Sequence, residues 1–63
     1  MSAEELKAEI KKLSARATQS KMDLHDLSEE LPIGWQTIKE QAEATYKAYE
    51  ALEAKRAELK ALG

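Results

Sequence analysis

The sequence predicts an all-α protein: an antiparallel two-helix hairpin that pairs with a second copy into a rod-like four-helix bundle. Three observations carry this. Ala, Glu, Lys and Leu dominate a chain of 63 residues in which 35% are charged, with no Phe and two Gly, a composition typical of long helices. Two runs of heptad spacing fill most of the chain. Between them sits one Leu-Pro-Ile-Gly-Trp segment holding the only Pro and the only Trp.

The first run is Leu6, Ile10, Leu13, Ala17, Ser20, Leu24, Leu27 and Leu31, an unbroken alternation of four- and three-residue steps that extends back to Ala3. Ser2 and Glu5 have capping-box spacing for its N-terminus. The first helix is therefore expected over about residues 3–31. Pro32 stops it, because the residue before a proline is pushed out of the α region and Pro has no N–H to donate. Gly34 gives the backbone freedom for a reversal. The link is expected over about residues 32–36. Either Gly34 or Thr37 could cap the second helix. Thr37 and Glu40 form another capping box, which favours a start at Thr37 and a helix over about residues 37–62.

The second run reads Trp35, Ile38, Ala42, Thr45, Tyr49, Leu52, Arg56 and Leu59. Two helices of similar length joined by a short link must fold back on each other. Facing positions then sum to about 66, which sets Ala17 against Tyr49, Leu24 against Ala42, and Ser20 beside Thr45 as a polar layer. A single domain spans residues 1–63. One hairpin has one seam and leaves much of each apolar stripe wet, and Ala48, Leu62 and Tyr46 widen the second stripe. A second copy is the expected cover, since so short a chain without Cys has no disulfide to staple it. A single bent helix or a larger coiled coil are the competing architectures.

Several function classes find no parts here. The chain has no Cys nucleophile, no Ser-His-acid spacing, no phosphate-binding Gly loop and one His, so no catalytic residue and no cofactor is expected. No apolar run nears the roughly 20 residues needed to span a bilayer, and the N-terminus lacks a signal-peptide core. With no Cys, a reducing cytoplasm is the expected compartment. A net charge of −2 gives no general reason to expect nucleic-acid binding.

The rare residues gather between 21 and 40. Asp23, Asp26, Glu29 and Glu30 give −4 across residues 22–31 with no compensating Lys or Arg. They crowd the C-terminal end of the first helix, where the macrodipole already disfavours carboxylates. A charge run usually means a solvated face; this placement against the dipole adds a cationic partner as a second reading. Met22, His25, Asp26 and Glu29 share one outward stripe. His25 with a carboxylate four residues on is a weak two-ligand metal pattern, and an exposed His is the simpler reading. Met22 is an adaptable apolar side chain where a polar one is usual. Trp35 either closes the apolar end of the bundle or anchors a partner. The expected partner-binding set is Met22, His25, Asp26, Glu29 and Trp35, with no metal site. The opposing basic group, Lys7, Lys11, Lys12, Arg16 and Lys21, is expected to face the acidic end of a second subunit, as is Arg56.

The two heptad helices, the Leu-Pro-Ile-Gly-Trp link and the preceding Lys-Met-Asp-Leu-His-Asp-Leu resemble the small Rop-like proteins encoded within nitrogen-fixation operons. The resemblance covers nearly the whole chain and is most specific over residues 21–35. It implies a two-helix hairpin dimerising into a rod, and a non-enzymatic accessory role in nitrogen fixation through contact with a protein of that machinery. It also brings two other readings: an RNA-binding regulator like Rop, and a weak metal carrier using His25 and nearby carboxylates. Salt-sensitive RNA binding would mark the first, and metal retained through gel filtration the second.

Overall fold

A computed structural model describes residues 2–62 and shows two long helices folded side by side. Helix α1 spans Ala3–Glu30 and helix α2 spans Ile38–Leu62. A single 3-10 turn, Trp35–Thr37, leads into α2. The rod they form measures 46 × 15 × 13 Å, close to the ~42 Å expected of 28 helical residues.

Local signals set the helix ends. At the start of α1 the Ser2 hydroxyl accepts the Glu5 N–H at 3.2 Å, satisfying one of the free donors of the first turn. At its end Leu31 leaves the helical region, with φ −54° and ψ 142°, as a residue before proline must. The Leu31–Pro32 bond is cis. The Ile33 N–H reaches back to the Glu30 carbonyl at 3.0 Å, and the Trp35 N–H bonds the Pro32 carbonyl at 3.3 Å. Gly34 takes φ 79°, a left-handed conformation that only a residue without Cβ adopts cheaply. A Cβ there would also lie 3.1 Å from Leu27 Cδ1.

The α1 seam follows the heptads. Leu6 and Ala17 are buried, and Ile10, Leu13, Ser20, Leu24 and Leu27 are half-buried. Leu31, the last member of that run, falls past the helix end and is exposed.

In α2 the seam is displaced from the expected one. Leu52 is buried, with Thr45, Tyr49 and Leu59 half-buried as anticipated. Their neighbours at the seam are Gln41, Ala48 and Lys55, whereas Ile38, Ala42 and Arg56 are exposed. The cause is chemical. Gln41 Nε2 donates to the Ser20 carbonyl and approaches its hydroxyl, both at 3.4 Å, so position 41 rather than 42 turns inward. Leu24 therefore does not face Ala42. Arg56 instead pairs with Glu53 of its own helix at 3.0 Å, and Lys55 lays its stem along the seam.

Thr37 does not cap α2. Its hydroxyl donates to the Gly34 carbonyl at 2.8 Å, and its N–H bonds the same oxygen, so it closes the 3-10 turn. Trp35 is 60% exposed in the single hairpin.

Candidate partner-binding surface

Most of the exposed large apolar side chains lie in the half of the rod that holds the turn. Met22, Leu31, Ile33, Trp35 and Ile38 are five of the seven on the described surface, and only Tyr46 and Leu62 lie elsewhere. Ile33 is 74% exposed because the turn offers no helix face against which to bury it. It sits between Pro32 and Gly34 in a segment too short to fold back on the seam. An apolar residue flanked by two turn residues was the signal for it in the sequence.

Charge divides along the same axis. Residues 22–44, which form the turn half, hold six carboxylates against Lys39 alone, a net of −5 with His25 neutral. The remaining residues hold nine cations against six carboxylates, a net of +3. No basic residue occupies the last turn of α1, so nothing on that helix offsets the dipole beneath the carboxylates.

The α1 stripe is solvated throughout. His25 Nε2 lies 3.1 Å from Glu29 Oε1, one helical turn on, and His25 Nδ1 lies 3.9 Å from Asp26 Oδ1. The two ring nitrogens thus address different carboxylates, and the trio does not converge on one point as a metal's ligands must. Among the described residues, no group of three or more such side chains is arranged to hold a metal ion. Asp23 accepts a hydrogen bond from Gln19 at 2.9 Å and stands apart from the trio. Ser28 donates to the His25 carbonyl at 2.7 Å, which ties down the backbone under the stripe. The structure therefore brings His25, Asp26 and Glu29 together, leaves Met22 exposed one turn earlier, and places Trp35 on the turn beyond.

On the basic half, Lys7, Lys11, Lys12, Arg16 and Lys21 make no ion pair within the chain among the described residues; the Lys and Arg pairs found there are all on α2. A shallow groove runs between the helices near mid-rod, with Leu13 and Ser20 on one side and Ala44, Ala48 and Ala51 on the other. No described helix is long and apolar enough to cross a membrane.

Fold and surface together define a small helical-hairpin protein whose open apolar and acidic side chains collect at the turn. A family model described as Rop-like matches residues 1–63, and the chain belongs to that Rop-like family. It is 58% identical over 59 residues to a UPF0437 protein of Azorhizobium caulinodans, covering 94% of this chain and 86% of the relative. It is 52% identical over 40 residues to a Frankia alni protein described as lying in the nifX-nifW intergenic region, covering 64% of this chain and 49% of the relative. A similar hairpin is known from an NMR structure that is 56% identical, with a TM-score of 0.90 over 98% of this chain and 87% of that one.

Proposed function

We propose that this chain is a non-enzymatic accessory protein of nitrogen fixation. It works in the cytoplasm as a homodimeric four-helix rod and acts by contact with another protein. The pathway is supported by the relative described as lying in the nifX-nifW intergenic region. The dimer is supported by how little one hairpin buries: among the described residues only Leu6, Ala17 and Leu52 are fully enclosed. The groove beside Leu13 and Ala48 is a face that a second copy would cover.

One observation carries the contact reading. Met22, His25, Asp26, Glu29 and Trp35 are all exposed and share the turn half of the rod, where the open apolar side chains concentrate. Isolated exposed apolar residues are ordinary, but a concentration rimmed by polar groups marks an interaction surface.

The test is affinity capture from nitrogen-fixing cells with the wild-type chain and a variant changed at Met22, His25, Asp26 and Glu29 together. The reading expects capture to be lost while helicity and dimerisation stay intact. A variant that fails to fold would make these residues structural, and unchanged capture would put the contact elsewhere. A second reading, binding to RNA, has one observation in its favour: the five α1 cations have no acidic partner within the chain among the described residues. Salt-sensitive binding of RNA lost on changing Lys12 and Arg16 would establish it.

A further inference from the structure

The turn itself carries a more specific inference, which rests on the contact reading above. From the apolar side chains of residues 31–35 and the carboxylates around them we infer that the closed end of the rod binds a segment of another protein in which an apolar side chain is flanked by Lys or Arg.

Three features select this occupant. Leu31, Ile33 and Trp35 present apolar surface at three alternate positions of a five-residue stretch. The Gly34 carbonyl is taken by Thr37, and the Pro32 and Glu30 carbonyls by the Trp35 and Ile33 N–H groups. The backbone of the turn is thereby braced, so seating a partner requires little ordering of the chain. Asp26, Glu29 and Glu30 lie just before these residues at the end of α1, within a half-molecule of net −5. A basic segment would be drawn to those carboxylates, and a cation resting on the indole of Trp35 would gain from its π face.

Other occupants fit less well. A second copy set turn against turn would oppose −5 to −5. A second copy packed side by side covers helix faces and not the end of the rod. An anionic membrane is repelled by the same carboxylates.

Trp35 is the only Trp, so its emission reports on this surface directly. The experiment titrates the protein with Trp-free synthetic helical peptides of three kinds: apolar with Lys and Arg, apolar with Glu, and Lys- and Arg-rich without apolar residues. The inference expects a blue shift with the first alone, weakening as salt rises. Ile33→Ser, which leaves Trp35 in place, should weaken binding roughly tenfold, as loss of one apolar anchor does. Asp26→Asn with Glu29→Gln and Glu30→Gln should do so comparably; circular dichroism would check that both variants stay helical.

A shift of equal size with the acidic peptide, a shift with zwitterionic lipid vesicles, or none with any peptide would overturn the inference. Failure of the broader reading looks different. If no peptide binds but the four-residue variant still loses capture from cells, the contact surface stands and only its chemistry is wrong. If capture also persists, both fall.

Discussion

Ser20 and Thr45, 25 residues apart in sequence, meet hydroxyl to hydroxyl at 2.9 Å across the middle of the rod. Thr45 Oγ1 also lies 2.9 Å from the Gln41 carbonyl, one turn back on its own helix, and the Gln41 amide reaches over to Ser20. Three polar side chains thus contact one another across a mainly apolar seam. They favour one register of α2 against α1, because another would lose the Ser20–Thr45 and Gln41–Ser20 contacts.

The costs of removing the two hydroxyls should therefore not add. Ser20→Ala removes the hydroxyl that Thr45 and the Gln41 amide share, though the Ser20 carbonyl remains for both, and about 0.5–1.5 kcal/mol of stability should be lost. Adding Thr45→Val should cost less than the sum of the single changes, because the second hydroxyl no longer lacks a partner. Urea unfolding at one fixed protein concentration reads both. Strict additivity would mean that the layer does not act as a unit.

Gly34→Ala should destabilise the turn. The left-handed backbone costs an L-residue about 1–2 kcal/mol. The new methyl must also displace Leu27 Cδ1, which is the end of a flexible side chain and adds less. Helix content should persist while the melting temperature falls. An unchanged melt would show that the turn relaxes to another conformation at no cost.

Much of this was legible in the sequence. Pro32 and Gly34 located the reversal, and the α1 heptads located its seam from Leu6 to Leu27, because both signals are local. The Ser20–Thr45 layer was legible for a similar reason: once the reversal is placed, facing positions follow by counting. The orientation of α2 was not. Thr45, Leu52 and Leu59 fit two adjacent seams equally, one through Ala42 and Arg56 and one through Gln41 and Lys55. The Gln41 bonds to a backbone carbonyl on the other helix decide between them, and periodicity carries no trace of such a partner. Thr37 misleads likewise, since its spacing to Glu40 suits a cap while its hydroxyl finds a nearer acceptor in Gly34. At the candidate surface the stripe was legible from helical spacing. The exposure of Leu31 and Ile33 depends on where α1 ends, and a heptad count runs past that point.

The two hairpins should lie with their turns at opposite ends. Residues 6–21 carry +4 and residues 22–31 carry −4. With turns together, like charge stacks at one end; with turns apart, each acidic end lies beside the other chain's basic stretch. Single exposed pairs give only ~0–1 kcal/mol, but several acting together against a repulsive alternative select an arrangement. A spin label at Ser28→Cys, in a chain with no other Cys, should report a separation near much of the 46 Å rod. A short separation would show that seam packing overrides the charges.

The most direct test of the account is the dependence of the melt on protein concentration. Among the described residues the hairpin fully encloses only three side chains, so under the proposed dimer folding and pairing should be one transition. The melting temperature should rise steadily over a hundredfold range of concentration, with sedimentation giving a dimer at the upper end. A monomer melting at the same temperature throughout would contradict it.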